Sequence, residues 1–459
     1  MSALPKITPV PASRIRENLP REHGYEPMHV DGQLPAELAG TLYRNGPALM
    51  DLFGVPYSHL FEGDGGISAV RFAAGRASGA ARVLETAGLK AEREAGRPLF
   101  GFNARWTDRW PRAMRGGNGK NAANTNVIWW QGQLLALWEG GLPTEVDPET
   151  LLARGTTDLD GAVPASFSAH PHTVGDTLFN FGLRYGRHTT LDLFAWKAGS
   201  SAECISSIPL PRATMLHDFI ATDRHLVFFV SPIAIRIWRA LLMVGSATDL
   251  LAWRPEHGTE VIVVPLDNPG EPVRFHTDPF FQWHFSNAWE EQGQIVVDYV
   301  RYADMSSFED LEQGLVGDAG QLHRARIDPK RKTFKTEQLW NVQCEFPRVA
   351  PGLEGAPNRY TWLACDDERP GISRFDNKTD TASTWWAEEG QFCAEPVFVR
   401  APHPAGEGDG WALSLTYDAS SHKSFVAVLD GQHPETGPIA RAWFDHHIPI
   451  TFHGNFAPA

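Results

Sequence analysis

An all-β architecture of many short strands is the fold class this sequence predicts, as a propeller or a very large barrel. Three observations carry it. Glycine (42 residues) and proline (34) make up about 17% of the chain, against roughly 12% in average usage, so turns are frequent. Short β-branched and aromatic runs recur between turn residues. No βαβ alternation interrupts them.

The first clear pair of runs is Val127–Trp130 and Leu134–Trp138, joined through Gln131-Gly132-Gln133. Leu226–Val230 follows, then Ile295–Val300 after Gln292-Gly293. Tyr360–Ala364, Trp411–Tyr417 and Phe425–Leu429, the last closed by Asp430-Gly431, extend the series. Each reads as a strand with a tight turn, because glycine reaches the positive φ that short hairpin loops need. No repeat of about 40–50 residues stands out, so spacing alone yields no blade count. No linker divides the chain either, and 1–459 reads as a single domain. One segment departs from the pattern. Over 232–253, Ile233, Ile237, Leu241 and Val244 follow helical spacing, as do Trp238 and Leu242, with Arg236 and Arg239 among them. The spacing predicts an apolar helical insertion. It either packs on the sheets or offers a patch to a membrane surface or a tunnel entrance.

A chain that is 42% hydrophobic and 21% charged can bury a large core. Its net charge of −14 disfavours phosphate backbones, which excludes nucleic acid as a partner. The 16 Trp and 26 Phe supply large flat apolar walls. The four cysteines, Cys204, Cys344, Cys365 and Cys393, show no CxxC spacing, so neither a zinc ribbon nor a disulfide framework is expected. No signal-peptide pattern opens the chain, and no apolar run reaches the ~18 residues of a membrane span. The expectation is a soluble cytoplasmic protein, with peripheral membrane contact as the alternative use of 232–253. Nothing points to a protein partner.

Among the 18 histidines, four have distinctive surroundings. His170 lies in Ser168-Ala169-His170-Pro171 and His217 in Met215-Leu216-His217-Asp218-Phe219. His284 follows Trp283 and precedes Phe285-Ser286-Asn287, and His453 lies in Phe452-His453-Gly454. They are too widely spread for a local metal loop such as HExxH. If they meet, they arrive from different strands converging on one axis, which a propeller supplies.

These motifs, with several others in order, resemble the carotenoid cleavage oxygenases, non-haem iron proteins of seven-bladed propeller fold. The others are Gly40–Pro47, His59–Gly65, Asn124-Thr125-Asn126, Leu135–Glu139, Cys344–Arg348, Glu395–Val399 and His446-His447-Ile448-Pro449. The resemblance covers nearly the whole chain and is nearest to the cyanobacterial apocarotenoid oxygenases. It implies a seven-bladed β-propeller with helical and loop segments capping the active-site face. It implies His170, His217, His284 and His453 as ligands of Fe(2+), and Glu139, Glu345 and Glu395 as carboxylates behind His217, His284 and His453. Thr125 matches a position whose methyl crowds one of the remaining metal sites. His172 stands two residues beyond a ligand as a decoy, and His446 and His447 read as structural supports.

The implied reaction is cleavage of one C=C bond of a lipophilic polyene by O2 into two carbonyl products. Neutral imidazoles suit first-row metals and leave positions open. The pocket needs no acid or base, and no Ser/His/Asp triad or nucleophilic cysteine is apparent. It must instead hold a rigid chain in place, and Trp138 and Trp283 are the expected lining residues. Relatives that cleave stilbenes carry a lysine where Trp138 stands, so an apolar carotenoid or apocarotenoid is favoured over stilbene or isoeugenol-type phenylpropenoids. Gly66 and Trp283 depart from the usual methionine and phenylalanine, which alters volume near the core or pocket. The reading from another class is a metal-free binding propeller.

Overall fold

The computed structural model describes residues 12–108, 119–236, 239, 248–313, 320–367 and 369–459. Among the described residues its strands pair antiparallel, in sheets of four to six strands, two two-stranded pairs and one seven-stranded sheet that spans two successive units. The hairpins form where glycine-bearing turns were expected. Gln131 (φ 50°) and Gly132 (φ 77°) join Asn126–Trp130 to Gln133–Leu137. Gln292 (φ 52°) and Gly293 (φ 78°) do the same for Phe285–Glu291 and Gln294–Arg301. Two consecutive positive φ values make the turn whose twist matches that of the strands.

Seven apolar seams close the units into a ring, counted among the described residues. The first and second units meet at Ile67 and Val127, the second and third at Leu137 and Phe194. The third meets the fourth at Leu193 and Phe228, and the fourth meets the fifth at Phe229 and Val297. Leu322 and Leu363 join the fifth to the sixth, Ile372 and Ala427 the sixth to the seventh. Val428 and Phe72 then bring the seventh back onto the first. Both faces of each sheet are therefore buried against neighbours, the arrangement of a seven-bladed β-propeller.

Two features hide this count from the sequence. The 16-residue strand Thr333–Arg348 closes the fifth blade with its first half and opens the sixth with its second. The ring is also closed by exchange of the chain ends. The C-terminal strand Gly454–Pro458 is innermost in the first blade, beside Gly40–Leu49, whereas the N-terminal His29–Gly32 is outermost in the seventh, beside Pro438–Trp443.

The segment 232–253 differs from expectation. Ile233–Ile235 and Leu251–Trp253, placed in a helix by their spacing, form an antiparallel pair of strands. A densely apolar stretch satisfies helix and buried strand alike, so periodicity does not separate them. Ile233 is buried against the core, and Arg236 and Arg239 are the exposed side chains of the described part. Ile237, Trp238, Leu241, Leu242 and Val244 lie outside the described residues. No helix among the described residues is long and apolar enough to cross a membrane. A short helix, Ser306–Gln313, does cap the face where the histidines lie, placing Ser307 and Phe308 against Trp283.

Candidate metal centre

The propeller repeats one position five times. Thr125, His170, His217, His284 and His453 each stand just before the innermost strand of a blade, respectively Asn126–Trp130, His172–Val174, Ile220–Ala221, Phe285–Glu291 and Gly454–Pro458. Innermost strands surround the axis, so the residues that precede them meet at its end. The four histidines are buried, and one ring nitrogen from each lies within 4.8 Å of the others. The Nε2 atoms of His217 and His284 are 3.2 Å apart.

Three histidines turn their other nitrogen to a carboxylate. His284 Nδ1 is 2.5 Å from Glu345 Oε2 and His453 Nδ1 is 2.9 Å from Glu395 Oε1. His217 Nδ1 contacts Glu139. The bonds of His284 and His453 orient their rings so that Nε2 faces the cluster, and the close Glu139 contact places His217 alike. His170 has no such carboxylate, and its Nε2 is buried without a partner. A buried imidazole nitrogen without a partner carries a desolvation cost that a metal bond would remove.

Electrostatics keep the cluster ready for a cation. Burial, reinforced by His217, His453 and His284, holds His170 well below the ordinary imidazole value. Burial also lowers His453 to about 4, despite Glu395. His284 goes the other way: against the pull of burial, Glu345, with Asp218 and Glu395, raises it. Glu345 is held below the usual carboxylate range against its own burial, chiefly by His284. Glu395 is likewise held down against burial, by Arg348, His453 and Arg44. Imidazoles backed by carboxylates are the donor set a divalent first-row metal takes, and the residues fit such an ion, whose binding would displace any proton from the cluster. His172 belongs elsewhere. Its Nε2 donates to Asp218 Oδ1 at 3.1 Å, and Asp218 with Glu354 pushes it up to about 10 against the pull of burial. As an imidazolium it has no lone pair for a metal.

A cavity of about 320 Å³ opens from the histidines. Thr125 and Trp283 line it. Thr125 Oγ1 donates to Asn124 Oδ1 at 3.1 Å, so its hydroxyl is engaged outside the cluster. The Trp283 indole lies edge-on to His217 at 4.7 Å, stacks on Phe308, and donates from Nε1 to Ser307 Oγ at 2.9 Å. Trp138 is not on this wall. It sits half-buried over Gly140 and Gly141, where a Cβ on Gly140 would lie 2.7 Å from the indole. Gly66 is also away from the cavity, with Ala48 closing the space a side chain would need. His446 and His447 pack at the chain ends, His446 on His23 and His447 on His422.

Sequence reasoning assigned no role to several residues that shape the site. Arg44, 2% exposed, donates from Nη1 to Glu395 Oε2 at 2.5 Å and from Nη2 to the Phe452 carbonyl at 2.8 Å. Arg348 donates from Nη2 to the Gly454 carbonyl at 2.6 Å. Tyr302 donates to Glu345 Oε1 at 2.7 Å. Phe346, in the left-handed region at φ 54°, stacks on His284, and Phe61 and Phe452 close the wall beside Trp283. Arg44 and Arg348 stood inside recognised motifs, but no local pattern marks an arginine as buried.

Comparison with known proteins bears on this site directly. Apocarotenoid-15,15'-oxygenase of Synechocystis is 30% identical over 96% of this chain and 95% of its own. Isoeugenol monooxygenase of Pseudomonas nitroreducens is 27% identical over 94% of each. The crystal structure of cobalt-substituted Synechocystis ACO superposes with a TM-score of 0.88 at 30% identity, covering 97% of this chain and 98% of that one. The family profile described as RPE65, retinal pigment epithelial membrane protein, matches residues 17–458. With a match across nearly its whole length, and with four inward histidines at the axis of its propeller, this chain belongs to the RPE65, or carotenoid oxygenase, family.

Proposed function

We propose that the protein is a non-haem iron(II) dioxygenase that cleaves one C=C bond of a carotenoid or apocarotenoid. One alkene and one O2 give two carbonyl compounds, with each former alkene carbon taking one oxygen. The observation that carries the reading is the junction of two features at one point. Four histidine nitrogens converge, and a predominantly apolar cavity opens from them. Iron(II) held there would supply the unpaired electrons that relieve the spin restriction on the reaction of O2 with a closed-shell alkene.

The chain's own part is to bind, orient and exclude water. Phe61, Trp283, Phe346 and Phe452 are rigid aromatic walls against which a conjugated chain is held flat. Holding the bond in place replaces an encounter in solution with a fixed geometry. With its hydroxyl engaged by Asn124, Thr125 offers the cavity its methyl and narrows access on that side.

The choice of a polyene over a phenylpropenoid rests on charge. Among the described residues lining the cavity the only cation is Arg16, and no lysine faces it to favour a phenolate. The phenylpropenoid reading is kept because relatives are named for isoeugenol and lignostilbene. The described apolar side chains of 232–253, in Ile233–Ile235 and Leu251–Trp253, are buried or half-buried.

The test supplies purified, iron-loaded protein with apocarotenoids, a carotenoid, a stilbene and isoeugenol under labelled O2. The expected outcome is about one iron per chain and labelled aldehydes from the polyenes. Aldehydes from isoeugenol or stilbene alone would replace the substrate class. Purification without stoichiometric metal and without turnover would turn the reading into that of a binding propeller.

A further inference from the structure

The cavity is not apolar along its whole length. Away from the histidines it is bounded by Ala364, Cys365, Asp366, Pro370, Phe392 and Cys393. Asp366 is the one carboxylate at this end, at the close of strand Tyr360–Asp366. It is half-buried, and among the described residues no hydrogen bond or ion pair is formed by its side chain. By contrast Glu395 is paired with Arg44, Asp298 with Arg324 and Asp192 with Arg184. A carboxylate partly withdrawn from water beside an apolar wall carries a desolvation cost that a ligand's donor would offset.

Its position relative to the histidines follows from strand register. Asp366 lies opposite Gln343, and Ala364 opposite Glu345, the carboxylate behind His284. Asp366 is thus displaced from Glu345 by one strand spacing of about 5 Å and two residues, or about 7 Å, along the sheet. An elongated ligand with one bond at the histidines would carry an end into this region.

We infer that Asp366 is a specificity-determining residue that accepts a hydrogen bond from the hydroxyl of a polyene alcohol. The inference rests on the oxygenase reading and narrows its substrate class to polyenes with a neutral hydroxyl end group. A hydrocarbon end leaves the carboxylate unpaired, and an anionic end is repelled by it. Burial, with Asp367 adding repulsion, pushes Asp366 up to about 6, consistent with a carboxyl that lacks a counter-charge. Near neutral pH it is mainly an acceptor.

The experiment measures dissociation constants by tryptophan quenching for two all-trans polyenes of equal length, one ending in a hydroxyl and one in a methyl. Iron-loaded wild type, Asp366→Asn and Asp366→Leu are compared, with thermal unfolding as the check on folding. The wild type is expected to prefer the alcohol about tenfold, the scale of one hydrogen bond to a charged group. The preference should fall towards one in Asp366→Leu and stay intermediate in Asp366→Asn, whose amide oxygen still accepts. Equal affinity for both ligands in the wild type, or a preference undiminished in a folded Asp366→Leu, overturns the inference and leaves the oxygenase reading intact. No saturable binding of either polyene overturns that reading and the inference with it.

Discussion

Two corners of the histidine cluster are built by opposite means. Behind His453, Glu395 is 1% exposed, and its charge is met by Arg44, by Arg348 at 3.4 Å and by the Gly454 backbone N–H at 2.9 Å. Behind His217, Glu139 is 29% exposed, with no cation of the described residues paired to it. The His284 corner is intermediate, where Glu345 is held by the Tyr302 hydroxyl and the Phe346 N–H at 2.6 Å. Water can solvate Glu139, just past the end of strand Gln133–Leu137. It cannot do so at the seam where the chain ends meet, so the protein supplies the counter-charge. Ionic bracing is concentrated behind His453, and the carboxylate behind His217 is the one that solvent reaches.

Arg44→Met should bring the largest loss of stability. It leaves Glu395 buried with only the more exposed Arg348 to offset it, and breaking one partner of a buried pair costs about 3–5 kcal/mol. A fall in the urea midpoint with unchanged slope would register this. A loss no greater than that of a surface substitution would mean that charge offset is not what holds this corner.

Why Arg44 was not assigned this role from sequence is instructive. It stands in the motif Gly40–Pro47, but its partners Glu395 and Phe452 lie more than three hundred residues away. They come into reach because Gly454–Pro458 pairs beside Gly40–Leu49, with Gly454 opposite Arg44. Long-range closure leaves no periodic trace. The four histidines that gather at the axis were legible for a different reason, since each stands in a local motif of the family that the chain resembles. Trp138 and Trp283 show where that logic stops. Both flank a site residue, yet only Trp283 faces the cavity, because the indole of Trp138 folds onto the Gly140-Gly141 backbone beyond the end of its strand. Adjacency in sequence conveys proximity and not direction. The strand pair within 232–253 marks the matching limit for apolar runs, where helix and strand spell the same residues.

Tyr302→Phe sharpens the gradient at the intermediate corner. It removes the hydroxyl that donates to Glu345 while the Phe346 N–H and His284 remain. A hydrogen bond to a charged group contributes about 1.5–3 kcal/mol, so the expected loss lies below that of Arg44→Met. Thermal and urea unfolding of the two variants side by side would check the order. A reversal would place the more strongly braced corner at His284 instead of His453.

Glu139→Gln separates stability from metal binding. At a half-exposed carboxylate water replaces most of what is lost, so the change in folding free energy should stay under about 1 kcal/mol. Its effect on the centre should be much larger in kind. A glutamine accepts from His217 Nδ1 through a neutral oxygen, so the imidazole loses basicity at the nitrogen that faces the other three. Loss of such a carboxylate typically lowers metal affinity or activity about 10–100-fold. Competition with a chelator, read as iron retained per chain, measures this without any substrate. The contrast with Arg44→Met is then sharp, because that variant unfolds early while its folded fraction still presents four histidines. If Glu139→Gln retained iron as the wild type does, His217 would be oriented by its packing against Trp283 alone, and the carboxylate at the solvent-facing corner would be dispensable.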